Sequence, residues 1–211
     1  MPDRLRGLYV ITDPNLIPDA ELATRVAAAI RGGAFAVQYR DKRTDHEGHL
    51  QRARTLRRVT RDLGALLIIN DDPRLAAEVD ADGIHLGRDD PDLESARAVV
   101  GSRLIGVSCY NDFQCAVDAE RRGADYVAFG SFFPTRTKSG TVPASAQLLR
   151  RARRELSVPV VAIGGITPDN GAALVEAGAD MLAVAGAVFG AADPRRAAER
   201  FKPLMKASPA T

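Results

Sequence analysis

The sequence predicts an α/β protein that closes into a single (β/α)8 TIM barrel, and three observations lead there. Eight short runs rich in Val, Ile, Leu, Phe and Tyr recur along its 211 residues. Each is followed by a stretch whose apolar residues fall at helical spacing. No G-x-G-x-x-G follows the first run, where Thr12-Asp13-Pro14-Asn15 stands instead, so the open doubly wound sheet, the main rival, lacks its phosphate-binding turn. Near-continuous apolar strands separated by helices need cover on both faces, and eight βα units in about 200 residues meet that need most simply by closing.

The elements follow in order. The first strand is expected at Leu8–Thr12, and the helical set Leu22, Val26 and Ile30 leads to a second at Ala36–Arg40. Leu50, Ala53, Leu56 and Leu63, with arginines between them, form the next helical stripe and precede a strand at Leu66–Asn70. Further strands are expected at Gly83–Leu86, Leu104–Ser108, Tyr126–Gly130, Pro159–Ile163 and Met181–Val184. No Gly-, Ser- or Pro-rich linker divides the chain, and the longest irregular stretch, Phe132–Pro143, is short enough for a βα loop. The chain therefore reads as one domain over residues 1–211, its last few residues a flexible tail.

Composition narrows the function. Apolar residues make up 45% and charged residues 27%, and 29 basic against 27 acidic side chains leave a formal charge of only +2. That gives no field for holding a nucleic acid. Cys109 and Cys115 lack Cys or His companions at zinc spacing, which argues against a disulfide scaffold or structural zinc and for a reducing compartment. Residues 1–7 enter a short apolar run instead of a signal-peptide core, and no stretch reaches the roughly 18 apolar residues of a membrane span. A cytoplasmic protein with small-molecule partners and no membrane partner is expected; assembly into a homo-oligomer is compatible with every feature above.

Barrels of this kind carry reactive groups where strands end and βα loops begin. The second strand ends in Gln38-Tyr39-Arg40-Asp41-Lys42, and alternation sends Gln38, Arg40 and Lys42 to one side, Tyr39 and Asp41 to the other. An amide and two cations on one side suit a pyrophosphate, although a solvated strand end fits the motif equally well. Lysine is not the default cation here: against 25 Arg there are only Lys42, Lys138, Lys202 and Lys206. Asp71 and Asp90 follow neighbouring strands and supply two oxygens of the incomplete shell Mg2+ prefers, helix capping being the alternative; for Asp72 and Asp89 capping or exposure is the better reading. Ser108 ends the fifth strand. The sixth runs into Thr135-Arg136-Thr137-Lys138 and then Ser139-Gly140-Thr141, a stretch able to close over ligands. Gly164-Gly165, with a helix expected from Pro168 or just after, and Ala185-Gly186 follow strands seven and eight, the usual phosphate corner. His46, His49 and His85 read as structural, the arginines at 52, 54, 57, 58 and 61 and at 150, 151, 153 and 154 as solvated helix faces, and Cys109 as no nucleophile, having no activating base nearby.

Together these junctions resemble the thiamine-phosphate synthase family over nearly the whole chain. The matching segments are Leu8-Tyr9-Val10-Ile11-Thr12-Asp13, Gln38-Tyr39-Arg40-Asp41-Lys42, Ile69-Asn70-Asp71-Asp72, His85-Leu86-Gly87-Arg88-Asp89-Asp90, Gly106-Val107-Ser108, Phe133-Pro134-Thr135-Arg136-Thr137-Lys138 and Val161-Ala162-Ile163-Gly164-Gly165-Ile166. The resemblance implies a transferase that condenses 4-amino-2-methyl-5-hydroxymethylpyrimidine pyrophosphate with thiazole phosphate. It implies Mg2+ on Asp71 and Asp90, catalytic roles for Arg40, Lys42, Ser108 and Lys138, and a dissociative mechanism through a pyrimidine cation. Gln38, Arg40, Lys42, Asn70, Ser108 and Lys138 would hold the pyrimidine pyrophosphate. Thr135, Thr137, Gly165, Ala185 and Gly186 would receive the thiazole phosphate, with Tyr39, Asp41 and Arg136 counted among the substrate-binding residues of the same motifs. Many relatives carry Ile-Ser at Ala185-Gly186, so a hydroxyl contact to phosphate is expected to be missing, and Cys109-Tyr110-Asn111 replaces a frequent Thr-His pair. A thiazole tautomerase would need the phosphate corner without the pyrophosphate groups, a Schiff-base aldolase would need a lysine adduct, and a non-catalytic sensor would bind both ligands without turnover.

Overall fold

The computed structural model describes residues 5–43, 45–87, 90–134 and 143–206. Among them β1 (Gly7–Ile11), β2 (Ala34–Tyr39), β3 (Leu66–Asn70), β4 (Gly83–Leu86), β5 (Leu104–Tyr110), β6 (Tyr126–Gly130), β7 (Val160–Ile163) and β8 (Met181–Val184) pair in parallel and in sequence order, and β8 returns to β1. Closure leaves no unpaired strand edge. The expected barrel is therefore present, with small shifts at strand ends. The fifth strand runs on to Tyr110 through an irregularity between Ser108 and Tyr110, and the seventh starts at Val160. Pro159 has no N–H to give the ladder. The expected tail lies outside the described residues.

Alternation splits the strands between two cores. Tyr9, Ile11, Ala36, Ile68, Tyr126, Ala128, Val161, Met181 and Ala183 fill the barrel interior. Their neighbours, including Val10, Val37, Ile69, Ile84, Ile105, Val127, Ala162, Leu182 and Val184, face the helices. Each fully buried aliphatic side chain of this kind contributes about 1.5–3 kcal/mol. One glycine is required by the interior: a Cβ on Gly106 would lie 2.0 Å from the Tyr126 ring, so the tyrosine occupies the space that any other residue at position 106 would need.

The outer layer comprises α1 (Leu22–Arg31), α2 (His46–Leu63), α3 (Pro73–Glu78), α4 (Leu93–Val100), α5 (Phe113–Arg121), α6 (Ala146–Glu155), α7 (Ala172–Glu176), α8 (Gly186–Phe189), α9 (Pro194–Glu199) and α10 (Lys202–Lys206). Aspartates start many of them. Asp72 accepts from the backbone N–H of Arg74 and Leu75 ahead of Pro73, which makes it the cap expected from its position, and Asp45, Asp92, Asp112 and Asp193 cap α2, α4, α5 and α9. The helix expected from Pro168 begins only at Ala172. Thr167 to Gly171 form a turn closed by Thr167 N–H on Asn170 Oδ1 at 2.8 Å and by Gly171 N–H on the Thr167 carbonyl at 3.0 Å. No described helix is long and apolar enough to cross a membrane.

Candidate active site

Five buried or half-buried polar groups from five strands are linked inside the barrel near its C-terminal end. Gln38 Nε2 donates to the Tyr9 hydroxyl at 2.8 Å, and that hydroxyl lies 3.1 Å from the Tyr126 hydroxyl. Tyr126 sits 3.2 Å from His85 Nδ1, whose other nitrogen is 2.9 Å from Ser108 Oγ. Burial raises the pKa of both tyrosines above the ordinary phenol range, so each keeps its proton. One assignment satisfies every buried hydroxyl. Tyr9 accepts from Gln38 and donates to Tyr126, Tyr126 donates to His85 Nδ1, and the His85 Nε2–H donates to Ser108. The Ser108 hydrogen then remains available to an acceptor at the barrel mouth. His85 thus holds Ser108, in keeping with the supporting role expected of it. Tyr9 and Tyr126 are contributors that the sequence reading did not single out; their inward position on β1 and β6 was the available signal.

Above this chain of hydrogen bonds stands the charged rim. Arg40 follows Gln38 by two residues, just past the end of β2, and its backbone is clamped by Thr12, whose Oγ1 accepts from Arg40 N–H at 2.9 Å and donates to the Arg40 carbonyl at 3.2 Å. Among the described residues no carboxylate pairs with the Arg40 guanidinium, whereas Arg43, Arg52, Arg57, Arg97 and Arg103 all have acidic partners. Lys42 Nζ contacts Asp71 Oδ2. Asn70 ends β3 directly opposite His85 in the ladder.

Asp71 has φ 66°, a left-handed conformation that Asp and Asn tolerate better than most residues, and its N–H donates to the His85 carbonyl at 2.9 Å. This turn brings its carboxylate to that of Asp90, which also accepts from Gly87 N–H at 2.6 Å. Burial and the adjoining Asp71 carboxylate raise the Asp90 pKa above the ordinary range. Two carboxylates so placed favour a cation between them. Among the described residues no group of three His, Cys, Asp or Glu side chains converges.

The loops that follow β7 and β8 are fixed from behind. Gly165 has φ 63°, and a Cβ there would meet the Pro134 carbonyl at 2.6 Å, so glycine lets β7 pass close to the β6 loop. Asn170 Nδ2 donates to the Gly165 carbonyl at 3.1 Å. Ala185 and Gly186 open α8, whose far end is held by Arg25 donating to the carbonyls of Phe189 and Ala191, each at 2.7 Å. Arg25 and Asn170 also went unremarked in the sequence, since their partners are remote in the chain or depend on the turn at 167–171.

Gln38, Arg40, Lys42, Asn70, Asp71, Asp90, Ser108, Gly165, Ala185 and Gly186 therefore gather at one end of the barrel. Tyr39 and Asp41 do not join them. Tyr39 is buried in the outer core, with Arg52 on its hydroxyl, and burial pushes its pKa up to about 12. Asp41 meets Arg43, Arg52 and His49 outside the barrel. Arg52 and Arg57, expected on a solvated face, are only 14% and 17% exposed because they reach inward to these and other carboxylates. Thr135, Arg136, Thr137 and Lys138 lie outside the described residues. Cys109 is fully buried and its thiol pKa is raised by burial, in keeping with a residue that is not a nucleophile.

Residues 8–188 match the family model described as thiamine monophosphate synthase. A thiamine-phosphate synthase of Azoarcus sp. is 51% identical over 206 residues, 97% of this chain and 100% of that protein. One of Nitrosococcus oceani is 48% identical over 203 residues, 96% of this chain and 94% of the relative. A thiamine phosphate pyrophosphorylase structure from Pyrococcus furiosus superposes with a TM-score of 0.88 at 37% identity, covering 96% of each chain.

Proposed function

Because the chain belongs to the thiamine-phosphate synthase family and is a transferase of thiamine biosynthesis, we propose that its barrel mouth joins 4-amino-2-methyl-5-hydroxymethylpyrimidine pyrophosphate to thiazole phosphate with Mg2+. The observation that carries this reading is the convergence of Gln38, Arg40, Lys42, Asn70 and Ser108 on the side of the paired carboxylates Asp71 and Asp90. A tautomerase would need neither the pair nor the cations.

In the reaction proposed, the bond from the pyrimidine methylene carbon to pyrophosphate oxygen breaks heterolytically, its electron pair leaving with pyrophosphate. The thiazole nitrogen then gives its lone pair to that carbon. By likeness to the family, the electron-rich aminopyrimidine carries the positive charge in between. No protein nucleophile is needed, and the work left to the protein is electrostatic and positional. Asp71 and Asp90 would hold Mg2+, which when bound supplies charge neutralisation on pyrophosphate. Arg40 and Lys42 place two further cations beside the leaving group, and Ser108, held by His85, offers it a hydroxyl hydrogen. The family likeness extends this set to Lys138 and gives Thr135, Arg136 and Thr137 to the substrates. N–H groups around Gly165 and at Ala185-Gly186 would receive the thiazole phosphate, keeping the acceptor where it can intercept the cation before water does. The residue usage and the family likeness both favour a cytoplasmic enzyme.

Product stoichiometry tests the proposal. The purified chain given both substrates and Mg2+ should release one pyrophosphate per thiamine phosphate, and given the pyrimidine pyrophosphate alone should release pyrophosphate slowly with the hydroxymethylpyrimidine formed by water capture. A folded protein that binds both substrates without product would instead be a sensor.

A further inference from the structure

We propose that Asp41 is a positioning residue for the pyrophosphate subsite, anchoring the end of β2 from outside the barrel so that its chain neighbours Arg40 and Lys42 are presented inward. This inference rests on the reading of Arg40 and Lys42 as pyrophosphate ligands.

The Asp41 side chain is only 2% exposed. Its Oδ1 accepts from the Arg43 backbone N–H at 3.0 Å and from Arg43 Nε at 2.9 Å, and Oδ2 also takes the Arg43 Nη2. Arg52 Nε stands 3.4 Å away, His49 Nε2 3.5 Å, and the Tyr39 hydroxyl donates at 3.5 Å. Arg43 and Arg52 are themselves held by Asp19, at 2.8 Å and 3.1 Å, in the turn that precedes α1. One carboxylate therefore ties the β2 end to its own loop, to α2 and to the β1–α1 connection.

The space beside Asp41, lined by Thr12, Ile17, Tyr39, Arg40, Arg43 and Arg52 among others, is about 10 Å3. That is the limit for one water and far below what a substrate needs. Burial is the largest single influence on Asp41 and opposes its ionisation, yet the surrounding donors together bring its pKa down to about 2. The carboxylate is thus a charged structural anchor. Where the extended chain of β2 runs on past Tyr39, a residue held outward at position 41 favours the opposite side for 40 and 42. Thr12 clamps the Arg40 backbone from the other flank.

The test compares Asp41→Asn with Arg43→Met, which disturbs the same net from a residue whose side chain is 44% exposed and so retains a folded reporter if the buried variant fails. Calorimetric titration with inorganic pyrophosphate and Mg2+ gives affinity without requiring turnover, and steady-state kinetics separate the two substrates. Both variants should lose about ten- to a hundredfold in pyrophosphate affinity and in kcat/KM for the pyrimidine pyrophosphate, with the KM for thiazole phosphate within about twofold of wild type. Unchanged pyrophosphate affinity in the folded variants would overturn the proposal, as would equal losses for both substrates. Loss in Asp41→Asn with a neutral Arg43→Met would mean direct substrate contact and would also overturn it. A wild type that binds pyrophosphate but makes no thiamine phosphate would cost the synthase reading and leave the role of Asp41 standing.

Discussion

At Gly186 a side chain would meet nothing within 4 Å. The position is the first residue of α8, where the family resemblance implies a serine, so the substitution has room for the hydroxyl. Gly186→Ser is expected to lower the KM for thiazole phosphate several-fold, the worth of about one hydrogen bond, without lowering Tm. An unchanged KM would show that the backbone N–H groups already satisfy the phosphate. At this scale the sequence was informative wherever one residue's neighbours in the chain decide its direction: Gln38, Arg40 and Lys42 were separable from Tyr39 and Asp41 by alternation alone. It was silent where partners come from distant strands. Tyr9 and Tyr126 lie 117 positions apart, and only closure of the barrel turns two apparent core fillers into a hydrogen-bonded pair.

At the scale of elements, the same short sequence recurs before alternate strands. Ala81-Asp82 precedes β4, Ala124-Asp125 precedes β6 and Ala179-Asp180 precedes β8. In each case the aspartate accepts a backbone N–H at the start of the preceding strand: Asp82 from Leu67 at 2.7 Å, Asp125 from Ile105 at 2.8 Å and Asp180 from Val160 at 2.9 Å. These bonds fasten the N-terminal rim, the face of the barrel that serves stability. Asp125→Ala also strips Arg97 of a partner at 2.8 Å. It is expected to cost about 1–3 kcal/mol of stability while leaving kcat/KM per folded molecule unchanged, as denaturant unfolding and kinetics on one preparation would show. A large kinetic loss would contradict this separation of the two ends. Strand positions were legible from apolar runs because each strand is buried on both sides. The helix expected from Pro168 was not, because a side chain three residues later, Asn170, closes a turn there first.

The whole molecule puts stability at one end of a closed sheet and chemistry at the other. Closure itself was readable from eight βα units, since a parallel sheet of that size has few other ways to cover both faces. The meeting of Asp71 with Asp90 was also foreseeable from their places after adjacent strands, whereas the left-handed turn at Asp71 that aims its carboxylate there was not. The central claim is that this pair holds the Mg2+ on which turnover depends. Asn accepts a positive φ as readily as Asp, so Asp71→Asn should keep the fold and remove only the charge. The most direct measurement is the rate of thiamine phosphate formation against Mg2+ concentration for wild type and Asp71→Asn, each with and without chelator. The wild type should be active and silenced by chelator, and the variant should fall by about a hundredfold or more at an unchanged Tm. Near-normal turnover of the variant at the same Mg2+, or a wild type indifferent to chelator, would contradict the assignment.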